Sequence, residues 1–275
     1  MVGPARRPVL SGLGRIQNGV SVVFHRDIYS LRPWYHSFER LGLQTDFGDM
    51  QAGLFRRLRL MFRRGEWLSP RRLLQAQPSS HLINQRHKED VLLPLLSRVL
   101  PLAGDAPDCL ELFCADGYYA CLIKSLLPGA RVTGVDRNPN DIHRAQTAAR
   151  VLGFGRMEFV AADVGAYLAD SPSFDLVLCA GGLYHLAEPR RLLEQMHPMT
   201  KRILIAQSVT TLETESADYF VSPAPGWKHG SRFTHAALEK WLKETGWTIV
   251  EQARNELTGN DRPCDRGSSY FVCRP

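Results

Sequence analysis

Four short apolar runs in the second part of the chain each end in residues that can bind a polar ligand. The first run contains Glu111 and leads into the sequence Phe-Cys-Ala-Asp-Gly at residues 113–117. The second ends at Asp136, the third is followed by Asp163, and the fourth ends at Cys179 before an Ala-Gly-Gly-Leu-Tyr-His sequence. Carboxylates accept hydrogen bonds from hydroxyl and amino groups, and glycines let the backbone approach a ligand.

These residue types suit a nucleoside. Asp136 lies 25 residues after Glu111, where an acidic side chain can accept hydrogen bonds from both hydroxyls of a ribose. Asp163 can accept a hydrogen bond from an adenine amino group. The chain lacks both the Gly-x-Gly-x-x-Gly pattern for pyrophosphate and the phosphate-binding loop of triphosphate enzymes. The residues therefore predict an adenosine without phosphates, although strand-end carboxylates also cap helices and Gly pairs also form plain turns.

Parallel strands would bring these residues to one crevice. The strands that we predict are Cys109–Phe113, Arg131–Asp136, Met157–Ala161, Phe174–Ala180, Arg202–Val209, Trp247–Asn255 and Ser268–Cys273. The helices are Tyr118–Leu127, one opened by Asn138-Pro139 and stopped at Gly153, Pro189–His197 and Thr234–Thr245. Strands alternating with helices indicate a doubly wound, mostly parallel sheet of seven strands. Because no helix joins the last two strands, we expect an antiparallel partner at the sheet edge.

The N-terminal third carries the basic excess of the chain. Residues 1–90 hold 15 Lys and Arg against 7 Asp and Glu, whereas the whole chain has a net charge of +6. Leu54–Arg64 reads as an amphipathic helix with one arginine-rich face. Such a helix can face solvent, bind RNA or an acidic substrate, or bind anionic lipid. We expect residues 1–80 to form a basic, largely helical cap and residues 81–275 to form the α/β domain.

Composition excludes several classes of protein. The chain has 275 residues, of which 44% are hydrophobic and 23% charged, as in ordinary globular proteins. It has no apolar run long enough to span a bilayer and no secretory signal pattern, so we expect a cytoplasmic protein. The six cysteines form no Cys-x-x-Cys pair and no zinc-site spacing. We therefore predict buried, reduced cysteines and no metal.

The stretch from Glu111 to Pro189 resembles class I S-adenosylmethionine-dependent methyltransferases. Glu111–Gly117 is similar to their first motif, Asp136 to their ribose-binding acid and Asp163 to their adenine-edge acid. The resemblance implies a Rossmann-like methyltransferase domain with S-adenosyl-L-methionine as cofactor. The cofactor contacts that it implies are Glu111, Phe113, Ala115, Gly117, Tyr118, Asp136, Arg137, Asp163, Val164, Cys179 and Gly181.

The first motif departs from the usual acidic-x-Gly-x-Gly-x-Gly pattern. Phe113 and Ala115 replace the first two glycines, and only Gly117 remains. Because glycine there lets the backbone approach the cofactor, we expect Phe113 to point into the sheet or to narrow the site.

A narrower resemblance involves three short segments. Trp34-Tyr35-His36-Ser37, residues 117–119 (Gly-Tyr-Tyr) and residues 182–186 (Gly-Leu-Tyr-His-Leu) are similar to the tRNA wobble-uridine 5-carboxymethoxy methyltransferase-like family. This family includes a tRNA enzyme that uses carboxy-S-adenosyl-L-methionine and relatives associated with sugars and other small molecules. The resemblance implies that Tyr184 holds the extra carboxylate of that donor, together with an unidentified arginine or lysine.

We identify His185 and Tyr184 as the catalytic candidates. His185 follows the fourth strand, so it is the best general base for a hydroxyl acceptor, with His36 and His229 as alternatives. It can equally pack under the helix at Pro189. Residues 210–235 read as a lid over the acceptor. The acceptor-binding candidates are Tyr35, His36, Trp227, His229 and Arg232, with Lys228 and Arg232 available for an anionic group or simply solvated.

Three functions remain open from the sequence. The first is methyl transfer to a small polar acceptor, such as a sugar or a natural-product hydroxyl or amine. The second is methyl or carboxymethyl transfer to RNA at a tRNA wobble uridine, with the basic N-terminal third contacting phosphates. The third is a non-catalytic binding protein of methyltransferase fold. A homo-oligomer is compatible with each of them.

Overall fold

The computed structural model describes residues 21–46 and 80–275. The predicted basic helix Leu54–Arg64 lies outside the described residues, as does most of the predicted cap. Within the described ranges, none of the helices combines the length and apolar character that crossing a membrane would require.

A seven-stranded sheet forms the centre of the molecule. Its strands are β1 Asp108–Leu112, β2 Arg131–Asp136, β3 Met157–Ala161, β4 Phe174–Ala180, β5 Thr200–Thr210, β8 Thr248–Glu256 and β9 Gly267–Arg274, in the order β3-β2-β1-β4-β5-β9-β8. Two short strands, β6 Phe220–Val221 and β7 Arg232–Phe233, pair separately. β1 to β5 are parallel, and β9 runs antiparallel to both β5 and β8. The predicted doubly wound sheet with an antiparallel ending is confirmed.

Helices cover both faces of this sheet. They are α1 Arg26–Ser30, α2 Ser80–Val99, α3 Tyr118–Leu126, α4 Pro139–Val151, α5 Val164–Asp170, α6 Pro189–Met199 and α7 His235–Glu244. α4 begins as predicted, because the Asn138 side chain accepts the Asn140 N–H and Pro139 occupies the first helical position. It ends one residue before Leu152, and Gly153 follows with φ 70°.

α1, α2 and α5 were not predicted. α2 buries Gln85, Lys88 and Glu89 beside its apolar residues, so its hydrophobic periodicity is weak. α5 has only seven residues, and it begins because the Asp163 side chain caps it. The other boundaries differ from the predictions by one or two residues, as helix and strand ends commonly do.

Two apolar layers hold the helices against the sheet. One lies beneath α2, α3 and α4, and it contains the buried side chains of Leu92, Leu122 and Ile142. The other lies beneath α5, α6 and α7, and it contains those of Leu193 and Leu238. Because both faces are covered, the parallel strands are apolar along most of their length.

Residues 21–46 pack on the first of these layers. Ile28, Phe38 and Leu43 are buried in the same apolar cluster as the residues of α2 and α3. The Trp34 indole donates to the Ile28 carbonyl at 2.9 Å. The Arg144 guanidinium, on α4, donates to the carbonyl of Leu31. This segment therefore belongs to the wall of the crevice at the carboxyl ends of the strands.

Candidate functional site

The strand order reverses between β1 and β4, and this is where ligands bind in doubly wound sheets. The loop after β1 has a left-handed backbone at three positions, with φ 59° at Phe113, 46° at Ala115 and 78° at Gly117. Phe113 and Ala115 thus keep a glycine-like conformation although they carry side chains, at a cost of about 1–2 kcal/mol each. A β-carbon added at Gly117 would lie 2.7 Å from the Ala145 Cβ. The third glycine of the motif is therefore required by packing as well as by φ.

The Phe113 ring lies against Gly182, just beyond β4. A β-carbon added at Gly182 would lie 1.8 Å from the Phe113 Cδ2 atom. The ring is half-buried and packs on the apolar layer beneath α5, α6 and α7. The ring therefore fills the space between the ends of β1 and β4. This inward position is one of the two that we predicted from the sequence.

Asp136, at the end of β2, holds the β1 loop in place. Its Oδ2 accepts the Ala115 N–H at 3.1 Å, and its Oδ1 accepts the Asn138 N–H at 2.9 Å. A carboxylate can accept about four hydrogen bonds, so each oxygen retains capacity for a ligand hydroxyl.

Asp163 is the N-cap of α5, as strand-end carboxylates often are. Its Oδ1 accepts the N–H groups of Gly165 and Ala166 at 3.0 and 3.1 Å. The side chain is exposed. Both hydrogen bonds go to Oδ1, so the Oδ2 atom of Asp163 can still accept a hydrogen bond from a ligand.

Glu111 is buried at the floor of the crevice. Only 1% of the residue is exposed, and its Oε2 has no hydrogen-bond partner in the described structure. Burial raises its pKa well above the usual range, and the nearby Asp116 and Asp136 carboxylates raise it further. An orphaned buried oxygen of this kind is the atom that an amine or hydroxyl of a ligand satisfies.

Three other residues predicted to contact the cofactor have buried side chains. Tyr118 donates through its hydroxyl to Glu89 Oε1 at 2.7 Å, pointing away from the crevice. Val164 is the first residue of α5 and is buried. Cys179 is fully buried, and this raises its pKa to about 12. All six cysteines of the chain are buried and unpaired, as predicted.

His36 is buried and bound to Asp116. Its Nδ1 lies 2.6 Å from Asp116 Oδ1, and the Asp116 Oδ2 accepts the N–H groups of Tyr35 and His36 at 2.8 Å each. The His36 ring stacks on Tyr118 with centroids 5.4 Å apart. The structure therefore places His36 in the joint between the N-terminal segment and the β1 loop.

Aromatic side chains converge above the end of β4. The rings of Tyr184 and His185 are 4.0 Å apart, and Tyr35 lies 4.9 Å from His81. Burial raises the pKa of Tyr184, and the neighbouring Tyr35 raises it further. Tyr184 therefore keeps its hydroxyl proton at neutral pH and can donate a hydrogen bond.

His185 is exposed to solvent, although the surrounding protein desolvates its ring in part. This desolvation lowers its pKa to about 4, together with the positive charges of Arg232, Lys88 and Arg137. His185 is therefore uncharged at neutral pH and able to accept a proton.

Arg232, which the sequence offered for an anionic group, is already paired. It is 5% exposed, and its Nε lies 2.5 Å from Asp265 Oδ1. Its guanidinium carbon lies 5.4 Å from the centroid of the Tyr184 ring. The structure makes it a support for Tyr184. Trp227 and His229 are exposed on the loop before it.

Sequence reasoning missed Asp116 and Lys88. Asp116 stood within the first motif, but its partners lie 80 and 81 residues away. Lys88 is a buried lysine on α2 whose ammonium faces Gly181. Because α2 has polar and apolar residues without a clear apolar face, its sequence does not indicate that Lys88 is buried.

Comparison with known proteins agrees with this architecture. The family described as "Methyltransferase domain" matches residues 105–255, more than half of the chain. Trans-aconitate 2-methyltransferase of Streptomyces coelicolor is 32% identical over 96 residues, and that of Streptomyces avermitilis is 33% identical over 102. These matches cover 34% and 37% of this chain and span 32% and 38% of those proteins.

Solved structures share the fold. The N-terminal domain of EvdMO1 with SAH bound aligns with a TM-score of 0.54 at 21% identity, over 90% of this chain and 94% of that one. Magnesium protoporphyrin IX methyltransferase of Synechocystis PCC 6803 with bound SAH aligns with a TM-score of 0.53 at 17% identity, over 83% and 96%.

Proposed function

This chain belongs to the Methyltransferase domain family, and we propose that it transfers a methyl group from S-adenosyl-L-methionine to a small polar acceptor. The acceptor would be a sugar or natural-product hydroxyl, or an amine. The observation that carries the proposal is the Asp136 carboxylate bound to the Ala115 N–H of the left-handed β1 loop. This contact joins the ends of β1 and β2 where a nucleoside would bind.

The residues at these strand ends fit the cofactor. Asp136 would bind the ribose hydroxyls, Asp163 Oδ2 the adenine amino group, and the orphaned Glu111 Oε2 a hydrogen-bond donor of the amino-acid end. The backbone or side chains of the remaining predicted contacts would complete the site, namely Phe113, Ala115, Gly117, Tyr118, Arg137, Val164, Cys179 and Gly181. When bound, S-adenosylmethionine supplies a methyl group on a positively charged sulfur.

The chain's own residues would position the acceptor and move its proton. Tyr184, which stays protonated, can orient an acceptor by donating a hydrogen bond. The uncharged His185 can accept the proton of an acceptor hydroxyl. A positioned base commonly contributes about 10²- to 10⁴-fold, and orientation contributes about 7–11 kcal/mol. The Phe113 ring packs against Gly182, between the loop after β1 and the end of β4.

Two kinds of relative support a small acceptor. The curated relatives are named for trans-aconitate, a small molecule, and the structures include a magnesium protoporphyrin IX methyltransferase. Tyr35, which is exposed next to the buried His36, lies on one side of the crevice, and Trp227 and His229 lie on the loop beside Tyr184.

A tRNA acceptor, with carboxy-S-adenosyl-L-methionine as alternative donor, is the second candidate. The observation that favours it is that the three segments resembling the tRNA family come close together, since His36 stacks on Tyr118 and Tyr35 is near enough to Tyr184 to raise its pKa. The basic excess of the N-terminal third could contact phosphates. Binding of bulk tRNA that weakens steeply with salt would favour this function.

Calorimetric titration tests the proposal. We would titrate the protein with S-adenosylmethionine, S-adenosylhomocysteine and the carboxylated donor at fixed salt, using Asp136→Ala as the variant and Asp170→Ala, an exposed residue of α5, as its control. We expect micromolar binding to the wild-type and control proteins and at least about ten-fold weaker binding to Asp136→Ala.

The same titration separates the alternatives. Preference for the carboxylated donor would indicate carboxymethyl transfer. Absence of binding by all three compounds would overturn the proposal and favour a non-catalytic binding protein of this fold.

A further inference from the structure

Lys88 is a buried cation with no counter-charge among the residues that the structure describes. Only 7% of the residue is exposed, and no hydrogen bond or ion pair to the other described residues satisfies its ammonium group. Burial lowers its pKa to about 8. Lysines are almost never buried unless they are paired. The neighbouring Glu89 is not its partner, because that carboxylate binds Arg40, Gln85 and Tyr118.

The ammonium of Lys88 lies over the end of β4. A β-carbon added at Gly181 would lie 3.3 Å from Lys88 Nζ and 3.8 Å from Gln207 Oε1. The charge of Lys88 also lowers the pKa values of His81 and His185. Lys88 therefore faces the same crevice as His185, with Gln207 beside it.

Gln207 is a second unsatisfied group at this place. Its Nε2 donates to Ser268 Oγ at 2.8 Å, whereas its buried Oε1 has no hydrogen-bond partner. Because a serine hydroxyl both donates and accepts, a rotated Gln207 amide can keep Ser268 as partner while its NH₂ faces Gly181. Lys88 and Gln207 would then present two donors to one ligand group.

We propose that Lys88 and the Gln207 amide form a subsite that binds a carboxylate of the acceptor molecule. This inference rests on the proposed methyltransferase function and names the chemistry of its acceptor. One ammonium and one amide suit a singly charged, planar group, and the flanking histidines stay neutral beside Lys88. A phosphate dianion would call for more positive charge.

Position favours the acceptor over the nucleoside of the donor as the source of this carboxylate. The residues proposed for the nucleoside lie at the ends of β1, β2 and β3. Lys88 Nζ, from α2, lies over Gly181 just beyond β4, and Gln207 of β5 lies beside it, next to the segment that carries Tyr184 and His185. A carboxylate bound there would hold the rest of the acceptor near His185.

The test is calorimetric titration with trans-aconitate, citrate and succinate as carboxylate probes, and with the uncharged trimethyl ester of trans-aconitate as control ligand. Each titration is made with and without saturating S-adenosylhomocysteine. The variants are Lys88→Met, Lys88→Gln as a second substitution, and Lys243→Met as a control at an exposed lysine of α7. We expect at least one probe to bind wild type and the Lys243→Met control, and both Lys88 variants to bind it about 10- to 100-fold more weakly.

A second readout follows the His185 ring by NMR. Desolvation is the main cause of its low pKa, and the charges of Arg232, Lys88, Arg137 and Asp136 also act on it. Removing the Lys88 charge, or neutralising it with a bound carboxylate, should raise the His185 pKa from about 4. A Lys88 that only supports the fold would show no response to the carboxylate.

Three results would overturn the subsite. One is unchanged carboxylate affinity in both Lys88 variants. Another is that the Lys88 variants selectively lose affinity for S-adenosylmethionine, S-adenosylhomocysteine or the carboxylated donor. Lys88 would then belong to the donor site. The third is failure of every probe to bind wild type. Binding of S-adenosylhomocysteine in the same samples reports separately on the methyltransferase proposal.

Discussion

The His36 imidazole and the Asp116 carboxylate, 80 residues apart in the chain, meet at 2.6 Å in the interior. Asp116 is fully buried and lies in the loop after β1, so it ties the N-terminal segment to the loop that is proposed to hold the cofactor. Two further hydrogen bonds, from the N–H groups of Tyr35 and His36, complete the joint. The position of Tyr35 at the mouth of the crevice thus depends on Asp116.

Asp116→Asn should therefore loosen this joint. The substitution leaves His36 and two buried N–H groups with a neutral, poorer acceptor, and we expect the free energy of unfolding to fall by about 3 kcal/mol. Chemical denaturation measures this change. Asp105→Asn, at an exposed position before β1, is the matched control. Equal stability of the two variants would show that Asp116 does not hold the segment.

Lys88→Met should stabilise the protein at neutral pH. The lysine pKa falls from 10.5 to about 8 on folding, so the folded state releases this proton at lower pH than the unfolded state. The stability of wild type relative to that of Lys88→Met should therefore rise between about pH 8 and 10.5, by up to about 3 kcal/mol. Denaturation curves of both proteins across this range give this difference, because the buried cysteines, whose raised pKa values lower stability at high pH, are common to both. A less stable Lys88→Met at pH 7 would contradict the assignment of an unpaired buried charge.

His185→Ala should lower turnover by about 10²- to 10⁴-fold while leaving the affinity for S-adenosylhomocysteine unchanged. Since the His185 pKa is about 4, its uncharged form predominates at neutral pH, and its contribution to turnover should disappear as the pH falls through about 4. His143→Ala, exposed on α4, serves as control. Single-turnover rates under saturating donor are the measurement, and a wild-type rate would remove His185 as the base.

Gly182→Ala should clash with the Phe113 ring, because the added carbon would lie 1.8 Å from it. We expect a loss of about 1–3 kcal/mol in unfolding free energy. Combining it with Phe113→Gly should recover part of that loss, since the ring is gone and the φ of 59° suits glycine. Gly155→Ala, which has open space around it, controls for the substitution type. Additive effects in the double variant would show that the two positions do not interact.

The sheet could be predicted from the sequence because its strands are short apolar runs and its helices carry local signals. Asn138 and Pro139, for example, indicate the start of α4, and β2 ends at Asp136, two residues before that helix cap. These signals depend on neighbours only a few residues away. The structure places Asp136 and Asp163 at strand ends for the same reason, and their binding of a cofactor stays a prediction.

The remainder depends on contacts between distant parts of the chain. Arg232 looked available for an anion, yet Asp265 pairs with it from 33 residues away. Lys88 looked like an ordinary surface lysine, yet α2 buries it over Gly181. The residues next to Arg232 and Lys88 in the sequence do not indicate that the first is paired and the second is not. Both outcomes follow from how helices and loops pack on the sheet.

The order of the last two strands has a consequence for synthesis of the chain. β8 joins the sheet only through β9, which follows it in the sequence and separates it from β5. While the ribosome is still adding β9, the residues of β8 have no strand beside them, although β1 to β5 can already pair. Completion of the sheet must therefore wait until β9 emerges, and in this interval the exposed edge of β5 is the surface that a chaperone or an aggregating neighbour would meet.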